Sequence, residues 1–385
     1  MPRSDAQARD DGHSPRLRRV VGCMTGTSLD GIDCALVETE GRGLAMKPRF
    51  VRGTSGSLGE LAPRLRALAE QHPMTAGDIA TLAREFALLH AREVNALLDG
   101  EACDLIAVHG QTVFHQPPVS WQLFNPAVLA HATGIDVVCD LRAADLAAGG
   151  QGAPITPLAD WIWFRSPIER RVILNLGGFA NATILPRDEG PESIADLRGM
   201  DICACNHVLD GVARAVLGKP YDADGAAAAA GRVDPAAREE LIAILSRQSS
   251  GGRSLGTGDE AVGAGGWLER LRGRMSGGDL CATACAAVGG AIRAALGRHD
   301  AVRVLVAGGG AMNNTLLSHI GSNVERTDGN GLPGAFREAA EMAVLGALCQ
   351  DGVPITLPGV THVPAAAPLS GVWAFAGVDR SLRRP

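Results

Sequence analysis

Short apolar runs separated by small polar residues set the pattern of the chain. Val20–Val21–Gly22–Cys23–Met24 is apolar, Thr25–Gly26–Thr27–Ser28–Leu29–Asp30–Gly31 is small and largely polar, and Ile32–Asp33–Cys34–Ala35–Leu36–Val37 is largely apolar again. That order predicts strand, tight turn, strand. Phe50–Arg52 reads as a further strand. Thr75 with Asp78 three residues on resembles a capping box. Ile79, Leu82, Phe86 and Leu89 then recur on one helical face, so the spacing predicts a helix running to about Leu98 and stopping before Gly100. Leu105–Val108 predicts a short buried strand, and Ile135–Cys139 another after an intervening helix.

The opening pattern then returns. Arg171–Leu176, the small turn Gly177–Gly178 and Phe179–Leu185 again read strand, turn, strand. The letters differ, but the alternation is the same, and it is visible without reference to any other protein. Ala226–Ala230 predicts a helix, and Asp279 opens another that carries Thr283, Cys285 and Val288. Cys281 and Cys285, four apart on one face, read as small core residues. Val302–Ala307 predicts a strand that runs into Gly308–Gly309–Gly310 and a helix start at Ala311–Met312–Asn313. Glu338 falls on a final helix.

Composition narrows the classes. A chain of 385 residues suffices for two domains. A net charge of −6 argues against a broad nucleic-acid surface. No apolar run in the sequence reaches the ~20 residues of a membrane span. The first eighteen residues are polar with mixed charge and read as a disordered tail, not a signal peptide, so the cytoplasm is the expected compartment. Nine cysteines in this length do not make a disulfide scaffold. The lysines are Lys47 and Lys219, and Gly218–Lys219–Pro220 lacks the spacing of a P-loop. A nucleotide would therefore be held by backbone N–H groups, hydroxyls and metal.

The candidate chemistry lies at the turns. In the first, Thr25, Thr27 and Ser28 sit among glycines, where N–H groups and hydroxyls can surround an anion. Asp30 and Asp33 add carboxylates suited to a hydrated Mg²⁺. His109–Gly110–Gln111–Thr112 follows a strand, a common place for ligands in α/β sheets. Asp140, Arg142 and Asp145 lead into the glycine-rich stretch 148–154, which reads both as a ligand loop and as an interdomain hinge. Three glycines at 308–310 form a platform for a flat ring or a phosphate. Cys203-x-Cys205-x-His207 offers metal-ligand types but no second cluster, which is weak for zinc.

Gly22-x-Met24-Thr25-Gly26-Thr27-Ser28-Leu29-Asp30-Gly31-Ile32-Asp33 resembles the opening motif of the anhydro-N-acetylmuramic acid kinases. These belong to the sugar kinase/hsp70/actin superfamily. His109–Thr112, Asp140–Pro154 and Tyr221–Gly225 are also similar to that family. The resemblance covers about Val20 to Ala376. It implies an α/β, two-domain, duplicated ribonuclease H-like fold with an interdomain cleft. The implied division is 19–147 plus about 353–385 for the first domain and 148–352 for the second.

By the same resemblance the activity is ATP-dependent. Water opens the 1,6-anhydro bridge and O6 is phosphorylated, giving N-acetylmuramate 6-phosphate. Asp201 matches the catalytic base. Gly22, Thr25, Gly26, Thr27, Ser28, Asp30 and Gly31 match the first phosphate turn, with Gly177 and Gly178 opposite. Gly308, Gly309, Gly310 and Asn313 match the adenosine platform. His109, Asp145 and Glu338 match the sugar side, and Asp30 orients the hydrated Mg²⁺. A homodimer is implied as well. The departures are Phe124 before Asn125–Pro126, Cys203–Ala204–Cys205 in place of Gly-Pro-Gly, a missing lysine before Thr257–Glu260, and Val360–His362. They motivate two alternatives: a sugar-binding pseudokinase, or a kinase of a different amino sugar.

Overall fold

The computed structural model describes residues 17–26, 29, 31–248, 264–297, 303–366 and 370–377. The Thr257–Glu260 loop lies outside them. In chain order the strands are β1 Arg18–Met24, β2 Ile32–Glu40, β3 Lys47–Gly56, β4 Leu105–Val108, β5 Gln111–Gln116, β6 Val119–Leu123 and β7 Val137–Cys139. They continue with β8 Arg171–Leu176, β9 Phe179–Leu185, β10 Arg198–Ala204, β11 Arg303–Ala307, β12 Val324–Arg326 and β13 Val372–Ala374.

One topology occurs twice. The first sheet runs β13-β7-β4-β1-β2-β3 and the second β10-β9-β8-β11-β12. In each, an antiparallel meander (β1-β2-β3, β8-β9-β10) is extended from its first strand by two parallel strands. The echo between the two predicted hairpins is thus a repeat of a whole sheet.

The strands are apolar at both parities because both faces are covered. Val21, Cys23, Leu36, Ile106 and Val108 face out toward helices Ala76–Leu98 and Pro126–Thr133. Val20, Val37, Leu105 and Ala107 face in, toward helices Pro157–Phe164 and Arg337–Gln350. The second sheet sends Ile173, Leu185 and Leu305 into that same inner core. Its other face, with Val172, Leu174, Val304 and Val306, packs on helices Asn206–Leu217, Pro235–Gln248 and Gly277–Leu296. The order is helices, sheet, helices, sheet, helices.

Helix Arg337–Gln350 follows the second sheet in sequence but lies against β1, β2 and β4. Its close approach depends on Gly22 in mid-β1. A Cβ there would stand 1.9 Å from the Ala339 carbonyl oxygen and 2.4 Å from the Ala343 nitrogen. Gly22→Ala is therefore expected to force helix and strand apart and cost ~1–3 kcal/mol or more. A urea midpoint matching that of the parent would contradict this packing.

Helix Ala76–Leu98 starts where the sequence predicts it, with the Thr75 side chain accepting from the Asp78 N–H at 3.1 Å. It ends at Asp99, in the left-handed region. Two expectations change. Arg18, assigned to the tail, belongs to β1 and pairs with Asp351 at 2.7 Å. Helix Gly277–Leu296 is long and apolar enough by composition to cross a membrane, yet 78% of that window is buried inside the fold. Its alanines, glycines and cysteines let it pack closely against the neighbouring helices.

Candidate active site

Both meanders turn at the same end of their sheets. In the first turn, Thr25 is 2% exposed and its Oγ1 is buried without a hydrogen-bond partner among the described residues. Such an orphaned hydroxyl suits an incoming acceptor oxygen. Gly26 accepts from the Leu29 N–H at 3.2 Å. Gly31 abuts the Gly56 carbonyl of β3. Thr27, Ser28 and Asp30 lie outside the described residues.

The second turn is Gly177–Gly178. Its carbonyls accept N–H groups from the start of helix Asn206–Leu217: Asn206 to Gly177 at 3.0 Å, and Cys205 and His207 to Gly178 at 2.8 and 3.2 Å. The Asn206 amide also donates to the Leu176 carbonyl at 3.0 Å. Turn and helix start are thereby locked together.

The rewritten segment Cys203–Ala204–Cys205 is not a turn. Cys203 and Ala204 end strand β10, and Cys205 caps the following helix. All three are fully buried in the core of the second sheet. None has a positive φ. The added Cβ atoms therefore occupy core space, at backbone positions that do not demand glycine's positive φ. Burial pushes the Cys203 thiol up to about 12, so it stays protonated. Phe124, the other large departure, packs edge-on to Phe86 and His90 at 6.0 and 5.0 Å.

A cavity of about 540 Å³ opens beside the second turn. It is lined by Gly309, Gly310 and Asn313 on one side and by Asn206, Asp210 and Tyr221 on another. That volume lies in the range of small-molecule sites. Tyr221 and Met312 are both 58% exposed, offering flat or flexible apolar surface. Asn313 caps helix Asn314–Ile320 by accepting from the Leu316 N–H at 2.9 Å. Cys281 and Cys285 are core residues, as their spacing predicts, and also form the cavity's back wall. Gly308 is placed differently. At φ +84 it turns the chain away from β11, and a Cβ would meet Asn175 Oδ1 at 2.7 Å. It serves the fold and does not line the cavity.

Between the sheets, strand register builds a polar row. Asn175 on β8 faces Asn181 on β9, which faces Asp201 on β10. Residues opposite one another in antiparallel ladders share a face. Here it is the inner face, because Ile173 two residues earlier joins the inner core. Glu338, in the first turn of helix Arg337–Gln350, meets this row with Oε1 at 3.4 Å from Asn175 Nδ2.

His109 faces the row's neighbourhood from the first sheet. Its Nδ1 is 2.8 Å from the Gly110 carbonyl, and its Nε2 accepts from Arg142 at 2.9 and 3.2 Å. A ring that donates from Nδ1 and accepts at Nε2 is neutral. Burial and the Arg142 charge accordingly lower its pKa to about 3.

Asp145 does not join this group. It is fully buried, with one carboxylate oxygen accepting from the Gly152 N–H at 2.7 Å and the other from the Thr361 hydroxyl at 2.6 Å. These two bonds anchor the 145–152 loop to the C-terminal segment. Asn175 and Asn181 are the residues that the sequence did not single out as site residues, whereas Arg142 was read as a polar contact of the ligand loop. Strand alternation placed the two asparagines on one face, but only pairing across the sheet reveals the row.

The candidate site thus combines a duplicated sheet with two glycine turns at one end, a cavity beside one of them, and acid and amide groups between the sheets. The fold is that of the sugar kinase/hsp70/actin class. The chain belongs to the anhydro-N-acetylmuramic acid kinase family, whose model matches residues 18–374. It is 34% identical over 393 aligned positions to the anhydro-N-acetylmuramic acid kinase of Salinibacter ruber, covering 94% of this chain and 97% of that one. It is 36% identical to the Acidiphilium cryptum protein of the same name, covering 91% and 96%. Among solved structures it is similar to the activator of the 2-hydroxyisocaproyl-CoA dehydratase from Clostridium difficile with bound ADPNP. That likeness has 12% identity, a TM-score of 0.43 and coverage of 86% and 94%.

Proposed function

We propose that the protein is an ATP-dependent kinase that opens 1,6-anhydro-N-acetylmuramic acid with water and phosphorylates O6. The observation that carries the reading within the site is the row Asn175–Asn181–Asp201 facing Glu338 between the two turns. In this reading Asp201 takes a proton from water as the water oxygen bonds to C1. The C1–O6 bond breaks, O6 attacks the γ-phosphorus, and ADP leaves. Glu338 and neutral His109 orient the sugar, and the asparagine amides hold its hydroxyls.

Thr25 and Gly26, with Thr27 and Ser28, hold phosphate oxygens from one turn, and Gly177 and Gly178 approach from the other. Gly309, Gly310 and Asn313 take the nucleoside. The hydroxyl and carboxylate donors of the first turn are the oxygen ligands Mg²⁺ prefers, with Asp30 orienting its water shell. When bound, Mg²⁺ supplies charge neutralisation on the phosphates.

The two sheets, divided near residues 147–148 and 352–353, act as lobes that close over ligand, with helix Arg337–Gln350 between them. We place the enzyme in the cytoplasm as a homodimer. No observation favours a pseudokinase: the Cys203–Cys205 segment packs in the core, and none of its residues has a positive φ. The test is a coupled assay of ADP release with the anhydro sugar and ATP. The reading requires ADP release that depends on the sugar. Normal binding of both ligands without turnover would overturn it.

A further inference from the structure

Arg142 is a half-buried cation with no ion-pair partner among the described residues. Its Nε and one terminal nitrogen donate to His109 Nε2 at 3.2 and 2.9 Å, and its other terminal nitrogen donates to the Gly152 carbonyl at 2.8 Å. Both acceptors are neutral. Among the described residues no carboxylate pairs with it directly, while Asp140 and Glu338 act on it only from a distance. Burial lowers its pKa to about 10, which leaves it charged at neutral pH.

A guanidinium has five N–H groups. The bonds to His109 and Gly152 occupy three, leaving one on each terminal nitrogen. Two terminal N–H groups of a guanidinium are what a carboxylate takes in a pair of charge-assisted hydrogen bonds. The other polar groups of the sugar side are amides, a neutral imidazole and the carboxyls Asp201 and Glu338, none of which welcomes an anion. An acidic sugar would be repelled there unless a cation met it.

We propose that Arg142 is the specificity residue of the sugar site, gripping a carboxylate carried by the substrate. This rests on the proposed function, in which the sugar bears a lactyl carboxylate. His109 then acts as a positioning residue: it aims the two N–H groups by accepting on the guanidinium's other edge.

The experiment compares anhydro-N-acetylmuramic acid with 1,6-anhydro-N-acetylglucosamine, which has the same ring system without the lactyl group. Arg142→Gln is expected to lower kcat/KM on the acidic sugar by ~10²-fold, as for a lost hydrogen bond to a charged group. On the neutral sugar the change should stay within about threefold, and Arg142→Lys should fall between. Equal losses on both sugars would overturn the proposal, since they would mean that Arg142 only holds the loop at Gly152 or acts on the phosphoryl group. Should the wild type turn over neither sugar, the proposed function fails and calorimetry decides the residue's role. Tighter binding of the acidic sugar, abolished in Arg142→Gln, would support the proposal. The same preference in both proteins, or none in the wild type, would overturn it.

Discussion

Asp201→Asn is expected to lower turnover by ~10²–10⁴-fold, the usual cost of losing a general base. Asparagine keeps the size and most of the hydrogen-bonding capacity but cannot accept the proton from water. The loss belongs to the transition state, so KM for sugar and for ATP should change little. The geometry adds a reason for so large an effect. Asp201 is locked in register opposite Asn181, with a bulge immediately after it, so its position is fixed by the ladder. Near-wild-type turnover would show that the base lies elsewhere, with Glu338 or Asp210 the next candidates.

Arg337→Met should unfold the protein more readily than any change at the site. Arg337, Asp160 and Glu341 are at most 3% exposed and meet between the sheets. The guanidinium donates to Asp160 at 2.6 Å and to Glu341 at 2.7 Å, and the Thr183 hydroxyl donates to the other Asp160 oxygen at 2.6 Å. The cluster joins β9 of the second sheet, helix Pro157–Phe164 and the helix that packs on the first sheet. Removing the cation strands two buried carboxyls, which costs ~3–5 kcal/mol.

The pH dependence has a definite sign. Burial, the largest influence, already holds the Glu341 carboxyl well above its ordinary range, and the Arg337 charge opposes that rise. Without Arg337 the folded pKa rises further, so the folded state binds more protons than the unfolded one. Stability is then retained at low pH and lost as pH rises. The difference in thermal midpoint between Arg337→Met and wild type should therefore be larger at pH 8 than at pH 5. A constant small difference would mean that the cluster bears little of the load between the sheets.

These two residues mark where the sequence stops being readable. Local pattern located the hairpins, the strand Leu105–Val108 and the helix capped by Thr75, because turn chemistry and periodicity are encoded in neighbouring residues. The repeat of the opening hairpin at Arg171–Leu185 suggested duplication, and the two sheets share a five-strand order to which the first adds β13. What was not legible depends on partners far away in the chain. Residues 203–205 read as a turn because glycines were expected there, but pairing with β9 makes Cys203 and Ala204 strand. Asp145 read as a ligand group, yet its partner Thr361 lies more than two hundred residues away and takes its carboxylate. Gly22 read as a phosphate glycine, and its lack of a side chain serves a helix that begins at Arg337. Asp160 stood out in no local pattern, because its role exists only once β9 and two helices converge.

In the proposed reaction water opens the anhydro bridge while phosphate passes to O6. Turnover in ¹⁸O-labelled water, followed by mass spectrometry of the sugar and of any free phosphate, tests it most directly. The expected product carries one ¹⁸O per molecule, on C1, and an unlabelled phosphoryl group on O6, with one ADP formed for each sugar opened. Label in free phosphate with the anhydro sugar left intact would contradict it.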